Sequence, residues 1–503
     1  MIDALISALP HVLAPGNLFA VILGTAAGVI VGALPGLTVT TGMAVLIPMT
    51  FGVDPLFALG MMAGMYNGGS YAGAIPAILM RVPGTPASVA TVMDGYEMTK
   101  QGKAAYALQV AVVSGVIGSA LSAVALILFA PLLIKVAIQF GPAEYFLVAV
   151  LGLTTVASLL GDNLIKGIQA ALIGLLIGTV GQDISTGTER FTMGILDIAD
   201  GVNIVVLLTG LFAIPPVITM IEEAVMTGMP KELLKLKRQE TVFRRWKEFL
   251  PVWLRSSVIG IWIGILPGAG GSMSCYLAYN EAKRTSKDPD SFGKGNPIGV
   301  AASEAGNGAD NAAALIPALT LGIPGSGVAA VILGGLLVHG LRPGPQLFRD
   351  QPDIVYGFML QMLLSSFLLF FVGGLAATRI FGQALRLPKV LLAPVIVLFV
   401  TIGVYAVNNS IFDLYMLLGV GFVAYVLDKL DYPSAPIILG VILGPIAESQ
   451  LRLALTISGG KLLPLVSSPI AMIICTLICF VLGTSIWRMW RTSSQPSSES
   501  ASV

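Results

Sequence analysis

Charged residues are scarce in this sequence of 503 residues. Asp, Glu, Lys and Arg together make up 11% of it, whereas a typical soluble domain contains about 25%. The net charge of +1 offers no basic surface for a nucleic acid. The composition therefore excludes an ordinary soluble protein, and we expect no nucleic-acid partner.

Residues that commonly build metal sites and nucleophilic centres are also rare. The sequence has three cysteines and two histidines, and His11 and His339 lack Cys or acidic partners at metal-ligand spacing. Cys475 and Cys479 lie in an apolar run without such neighbours, so we interpret them as packing residues. Neither a GxxxxGK[ST] phosphate loop nor a GxSxG nucleophile motif is present. We expect no catalytic residues, no metal site, no cofactor and no enzymatic activity.

Long apolar runs are abundant instead. Residues 104–134, 202–221 and 464–487 contain no charge, and a membrane span needs about 20 apolar residues. Continuous runs of this kind predict helices and not the alternating strands of a barrel. The start of the chain lacks the basic flank and cleavage site of a signal peptide, so the first span, 18–33, is expected to insert uncleaved. We predict an all-α polytopic membrane protein with ten to twelve transmembrane helices.

An eleven-residue motif occurs twice, as IPAILMRVPGT at 75–85 and IPALTLGIPGS at 316–326. GALPG at 32–36 likewise matches GILPG at 264–268, and 161–163 matches 408–410. Three matches in the same order indicate a duplication. We predict a first repeat over 1–221, a linker over 222–255, a second repeat over 256–490 and a disordered tail over 491–503.

The linker also predicts an orientation. Residues 229–255 carry eight Lys or Arg against three Glu, and cytoplasmic loops are enriched in positive charge. If each half crosses the membrane an odd number of times, the two halves are inverted. Broken segments at corresponding places in inverted halves mark the binding site of many transporters.

The repeated motif predicts two broken-helix hairpins. Proline interrupts a helix, and the start of the next half-helix is partly positive, which suits a carboxylate. We therefore take Gly84 and Thr85, and Gly325 and Ser326, as candidate substrate-binding residues. The alternative is that each Pro-Gly is a tight turn with a hydroxyl cap.

Polar residues precede both hairpins. Asn67, Ser70, Asn307 and Asn311 are expected to line the same substrate cavity. For the coupling cation, Na⁺ or H⁺, the candidates are Thr38, Thr41, Glu304 and Asp310, since ionisable groups in apolar surroundings are costly and are often functional. The alternative for Glu304 is a water-exposed loop, and residues 85–103 are expected to form a polar loop.

Four stretches resemble the large membrane subunit of tripartite tricarboxylate transporters, and the similarity runs over about residues 15–465. They are GALPGL at 32–37, YNGGSYAGAIPAILMRVPGTPASVATVMDGYEMTKQGKAAYAL at 66–108, GILPGAGG at 264–271 and EAGNGADNAAALIPALTLGIPGS at 304–326. The sequence departs from the family pattern at Asn307, which is followed by Gly308 where the common form has a second Asn; Asn311 is a possible substitute.

This resemblance implies a secondary active transporter for organic carboxylates such as citrate. Its implied partners are a small four-helix membrane subunit, a periplasmic solute-binding protein and the lipid bilayer, and its energy source is a Na⁺ or H⁺ gradient. The implied location is the inner membrane of a bacterium, with several passes. The alternatives are a carboxylate transporter that works alone, an organic anion channel and a membrane-embedded enzyme.

The predicted inversion can be tested by topology mapping. A reporter fused at Met1 and one inserted within 229–255 should report opposite faces of the membrane, because an odd number of crossings separates them. Reporters on the same face would contradict the inverted arrangement.

Overall fold

The computed structural model describes residues 2–34, 36–159, 164–183, 186–226, 242–268, 270–376 and 389–493. The sequence match at 161–163, the linker residues 227–241 and the tail residues 494–503 lie outside the described residues.

The described chain is almost entirely helical. In its first part the helices are α1 (Ile2–Leu13), α2 (Pro15–Ala33), α3 (Val39–Met49), α4 (Pro55–Ala72), α5 (Ala74–Met80), α6 (Val89–Lys100), α7 (Ala104–Ala137), α8 (Pro142–Leu159), α9 (Leu164–Gly178), α10 (Ile204–Phe212) and α11 (Ile214–Met226). They continue as α12 (Trp246–Ile265), α13 (Gly270–Arg284), α14 (Pro297–Ala313), α15 (Leu315–Leu321), α16 (Gly327–Val338), α17 (Pro345–Asp350), α18 (Pro352–Leu369), α19 (Lys389–Asn408), α20 (Ile411–Lys429), α21 (Ser434–Ile457) and α22 (Pro469–Ser493). Two short strands, β1 (Gly181–Gln182) and β2 (Glu189–Arg190), pair antiparallel.

The prediction of an all-α polytopic membrane protein is confirmed. Among the described residues, seven helical segments are long and apolar enough to cross a membrane, and several shorter apolar helices accompany them. The seven are Pro15–Ala33, Ala104–Ala137, Ile204–Glu222, Val242–Ile265, Pro352–Gly374, Ile411–Lys429 and Ser434–Ile457. The total of ten to twelve crossings stays a prediction.

The chain divides into two compact units. Unit 1 comprises Met1–Ile138 and Asn203–Tyr425, and unit 2 comprises Gln139–Val202 and Val426–Val503. Each unit thus takes residues from both predicted repeats. Helices also extend into both ends of the predicted linker, since α11 runs to Met226 and α12 begins at Trp246.

Small residues allow α2 and α4 of unit 1 to pack backbone against backbone. A Cβ added at Gly24 would lie 2.1 Å from the carbonyl oxygen of Met61, and one at Gly64 would lie 2.4 Å from that of Val21. Such distances are far below van der Waals contact, so only glycine fits. Close approach through small residues is the usual way for membrane helices to associate, because lipid supplies no hydrophobic drive between helices.

Helix α14 lies at the centre of unit 1. All its residues from Gly299 to Ala313 are buried. It packs on α12, where a Cβ at Gly260 would lie 2.4 Å from the Gly306 carbonyl oxygen, and on α7, where one at Gly118 would lie 2.2 Å from that of Ala305. The sequence of α14 alternates Ala and Gly with Ser, Glu, Asn and Asp, so its surface is both small and polar.

Two broken helices lie at the predicted places. One consists of α4 and α5, and the other consists of α14 and α15. Each second helix ends in a left-handed residue, Arg81 (φ 62°) and Gly322 (φ 75°). We call the residues that follow tip 1 (82–85) and tip 2 (323–326). The residue before tip 1 is not glycine, so the left-handed conformation of Arg81 costs about 1–2 kcal/mol of backbone strain.

The same backbone hydrogen bonds hold both tips. In tip 1 the N–H of Gly84 donates to the carbonyl oxygen of Gly73 at 3.1 Å, and in tip 2 that of Gly325 donates to the carbonyl oxygen of Ala314 at 3.1 Å. These bonds fold each tip back onto the point where its helix is broken. The local geometry therefore recurs, while the duplication of whole halves and their inversion stay predictions.

Unit 2 contains α8, α9, α21, α22 and the strand pair. Here a Cβ at Gly174 of α9 would lie 1.9 Å from the carbonyl oxygen of Ile437 in α21. In the same unit, Arg190 forms hydrogen bonds with Glu448 and Asp183. These bonds, chiefly the one to Glu448, raise the pKa of the Arg190 guanidinium. Arg452 joins the same two carboxylates, so the charges balance two against two.

The packing of α7 on α14 gives a stability prediction. Gly118→Ala should lower the free energy of unfolding in detergent by about 1–3 kcal/mol, because a methyl group there forces the two backbones apart. The readout is the thermal unfolding temperature of the purified protein.

Gly419→Ala is the matched control. Gly419 is also a mid-helix glycine of unit 1, in α20, but a Cβ there meets nothing within 4 Å. Gly419→Ala should leave the free energy of unfolding unchanged or raise it by up to about 1 kcal/mol, because alanine has the higher helix propensity. Equal effects of the two substitutions would contradict the packing argument.

Candidate functional site

The hydroxyl residue of each tip is buried and caps the helix that follows. In tip 1 the Ser88 Oγ accepts from the N–H of Thr85 at 3.1 Å and donates to its carbonyl oxygen at 2.8 Å. In tip 2 the Oγ of Ser326 accepts from the N–H of Ala329 at 3.2 Å and shares a 2.9 Å hydrogen bond with the hydroxyl of Tyr66. A hydroxyl cap is therefore present at both tips, and Tyr66 is a partner of tip 2 that sequence reasoning missed.

Both tips lie next to the glycines that begin α13. A Cβ at Gly270 would lie 3.9 Å from the Cβ of Ser326, and one at Gly271 would lie 3.2 Å from the Cβ of Ala87, just after tip 1. The N–H of Gly268 donates to the carbonyl oxygen of Gly325 at 3.0 Å. Gly270 and Gly271 of the GILPGAGG motif thus present backbone without side chains next to the tips.

The four predicted cavity residues come together between α4 and α14. The Oγ of Ser70 donates to the Oδ1 of Asn307 at 3.2 Å, and the Nδ2 of Asn307 donates back to the Ser70 carbonyl oxygen at 3.2 Å. The Nδ2 of Asn311 donates to the Oδ1 of Asn67 at 3.0 Å. This buried polar group therefore consists of two hydrogen-bonded pairs, and each pair has one residue from each predicted repeat.

Helix α18 completes this group. The Nδ2 of Asn67 donates to the Oγ of Ser365 at 2.7 Å, to the Oγ of Ser366 at 3.2 Å and to the carbonyl oxygen of Met362 at 3.1 Å. These bonds turn the Oδ1 of Asn67 towards Asn311. The two serines lie in an apolar stretch that gave no sequence signal.

Glu304 is buried within α14, with no exposed surface. Its Oε1 accepts a hydrogen bond from the Oγ1 of Thr91, which also shares a 2.8 Å hydrogen bond with the Oγ of Ser303. Its Oε2 has no hydrogen-bond partner among the described residues. The alternative of a water-exposed loop for Glu304 is wrong, because the polar stretch around it is a helix enclosed by neighbours.

The expectation of a polar loop over 85–103 is also wrong. Residues 89–100 form α6, whose buried residues Ala90, Thr91, Asp94, Gly95 and Met98 recur at helical spacing. That periodicity was the available signal for Thr91. Asp94 holds α6 to the start of α14, since its Oδ1 accepts from the N–H groups of Gly293, Gly295 and Asn296.

Asp310 lies six residues further along α14 and faces different neighbours. It is 2% exposed, and its Oδ1 has no hydrogen-bond partner in the described part of the chain. A Cβ at Gly264 would lie 3.1 Å from this Oδ1, and one at Gly271 would lie 3.5 Å from the Oδ2. Asp310 therefore faces the glycines near the tips.

Thr38 and Thr41 form a separate cluster at the start of α3. The Oγ1 of Thr38 accepts from the N–H of Thr41 at 3.2 Å, and the two hydroxyls lie 3.0 Å apart. Over the described ranges no hydrogen bond joins this cluster to Glu304 or Asp310. The structure thus keeps the four coupling-ion candidates in three places.

A closed polar pocket lies between α4, α7, α14 and α18. We call it the Glu304 pocket; its polar lining consists of Asn67, Tyr71, Ser119, Glu304, Asn307 and Asn311. The space between the lining atoms is about 180 Å³, and none of it is wide enough for a water molecule. Gly115 and Gly308 also line it, so the backbones of α7 and α14 bound the space directly.

Comparison with known proteins gives a consistent result. The family model described as the tripartite tricarboxylate transporter TctA family matches residues 18–439. The chain is 36% identical over 474 residues to an uncharacterised 52.8 kDa protein in the TAR-I ttuC' 3' region of Agrobacterium vitis, covering 94% of each chain. It is 37% identical over 226 residues to an uncharacterised protein in the TAR-II ttuC' 3' region of the same organism, covering 44% of this chain and 93% of the relative. No solved structure matches.

The family model spans the broken helices, both tips and the GILPGAGG segment, and the first relative aligns over nearly the whole length of both chains. This chain belongs to the tripartite tricarboxylate transporter TctA family.

Proposed function

We propose that this chain is the large permease subunit of a binding-protein-dependent uptake system for organic carboxylates, a symporter in a bacterial inner membrane. Membership of a transporter family supports the class of function. The observation that carries the proposal is the pair of tips with matching backbone geometry beside Gly270 and Gly271. We infer no catalytic activity.

In this proposal the tips bind the carboxylate groups of the substrate. Thr85 and Ser326 precede helical segments whose first N–H groups and partial positive charge favour an anion. Gly84, Gly325 and the α13 glycines allow a ligand to approach the backbone closely. The hydroxyls now engaged as caps would turn towards the substrate.

The proposed partners are those that the family description suggests. The proposed system includes a small four-helix membrane subunit and a periplasmic binding protein that delivers the substrate. A Na⁺ or H⁺ gradient supplies the energy. The buried carboxylates Glu304 and Asp310 support such coupling, because an intramembrane acid needs a cation or a proton to balance its charge.

Substitution at the tips tests the proposed substrate site. Thr85→Val and Ser326→Ala should each reduce substrate affinity roughly ten- to a hundredfold, since a hydrogen bond to a charged group contributes about 1.5–3 kcal/mol. The measurement is the concentration dependence of carboxylate uptake at matched amounts of protein in the membrane.

Ser449→Ala is the control for Ser326→Ala. Ser449 is exposed in unit 2, and its Oγ donates to the carbonyl oxygen of Ile446 in its own helix. Uptake by this variant should equal that of the wild type. Normal affinity in both tip variants would remove the tips from the substrate site.

Reconstitution tests the whole proposal. Proteoliposomes that contain this chain and its small partner subunit should accumulate labelled citrate or another carboxylate of a small panel only when both a cation gradient and the binding protein are supplied. Leak that needs no gradient would instead indicate a channel, uptake without the binding protein a transporter that works alone, and chemical conversion of the substrate an enzyme.

A further inference from the structure

We propose that the Glu304 pocket binds one dehydrated Na⁺ ion and is a site separate from the tips. Its role as the coupling site rests on the function proposed above, whereas the binding of Na⁺ does not. This assignment places Asn67, Asn307 and Asn311 at the cation rather than at the substrate.

The unpartnered oxygen of Glu304 is the first observation. The carboxylate has no exposed surface, and its Oε1 accepts a hydrogen bond from Thr91. Within the described ranges its Oε2 makes no hydrogen bond, although the side chain of Asn307 lies near the carboxylate. A buried carboxylate oxygen without a donor is costly unless a cation or a proton balances it. The side chain lines a pocket whose other polar residues are neutral.

The negative charge of Glu304 argues against binding of the substrate in this pocket. A carboxylate substrate would be repelled by Glu304, and the pocket has no space wide enough even for a water molecule. A bare Na⁺ ion is smaller than a water molecule and has the opposite charge to Glu304. The tips, by contrast, present hydroxyls and backbone N–H groups, which suit an anion.

The lining favours Na⁺ over other cations. One carboxylate balances one positive charge, whereas divalent ions are usually held by several carboxylates or keep part of their water. The amide oxygens of Asn67 and Asn307 each accept one hydrogen bond, from Asn311 and Ser70, and each retains a second lone pair. A proton on Glu304 would need none of these extra oxygens.

The first predicted repeat has no acid at the position that corresponds to Glu304. The position in the first half that corresponds to Glu304, at the 241-residue offset of the repeated motif, is Ala63. We therefore infer one cation site and not a symmetric pair.

The pocket is also connected to tip 1. Thr91, which bonds Glu304, lies on α6, and α6 follows tip 1 after the short 3₁₀ helix Pro86–Ser88. Asn307 lines the pocket, and a Cβ at Gly271 would lie 2.9 Å from its Oδ1. A cation at Glu304 would thereby fix two elements that contact the tip region, which is a direct path for coupling.

The test measures Na⁺ binding on the purified full-length chain, without transport. Thermal unfolding is followed while NaCl replaces choline chloride at constant ionic strength, with KCl as a parallel arm. A bound ion raises the unfolding temperature with a saturable dependence on its concentration. We expect this rise with Na⁺ and not with K⁺, and its loss in Glu304→Gln.

Three further variants keep the test decisive if Glu304→Gln folds poorly. Thr91→Val should weaken the apparent Na⁺ affinity about ten- to a hundredfold, the usual effect of removing a group that orients a ligand. Ser119→Ala, which removes a lining hydroxyl bonded only within its own helix, should also weaken it. Asp350→Asn is the matched control, since it removes an exposed carboxylate of unit 1 that pairs with Arg349, and its Na⁺ response should persist.

Several outcomes would overturn the site. These are no Na⁺-specific rise in the wild type, a rise that persists in Glu304→Gln or is lost in Asp350→Asn, and unchanged affinity in both Thr91→Val and Ser119→Ala. Carboxylate uptake with no Na⁺-specific rise would refute this site and leave the proposed function intact. A Na⁺ response in a chain that transports no carboxylate would support this site and refute the proposed function.

Discussion

The close approach of α14 to its neighbours is the constraint on which unit 1 depends. Gly118 and Gly260 allow the backbones of α7 and α12 to contact the centre of α14. Lipid gives such helices no hydrophobic reason to associate, so dispersion contacts and buried hydrogen bonds must hold them. The polar side chains of α14 can then be buried, because neighbouring helices, and not lipid, surround them.

The same helix brings two kinds of polar chemistry into one region. Glu304, Asn307 and Asn311 belong to a pocket of oxygen atoms, while Asp310 faces the glycines beside the tips. The helix breaks at once after this stretch and continues to tip 2. One segment therefore links the acid, the amides and a candidate anion site within a few turns, which is the proximity that the proposed coupling would require.

Sequence reasoning succeeded where local signals were strong. The apolar runs identified the membrane class, the duplicated Pro-Gly motif located both broken helices, and the polar bands identified Asn67, Ser70, Asn307 and Asn311, which the structure brings together. It failed at 85–103, where a helix buried by its partners has too few apolar residues to resemble one. Ser365 and Ser366 were missed because a hydroxyl in an apolar stretch has no distinctive pattern, and Thr91 was missed because its segment was interpreted as a loop.

Composition, helix breaks and the repeated motif were thus determined by the sequence alone, because they depend on hydropathy, proline chemistry and glycine φ angles, all of which are local. Tertiary structure decided which polar groups meet. Asn67 lies 244 residues from Asn311, and Thr91 lies 213 residues from Glu304, yet each pair is hydrogen-bonded. Such contacts depend on how closely helix backbones approach, and that distance is fixed only when glycines on one helix meet carbonyl groups on another.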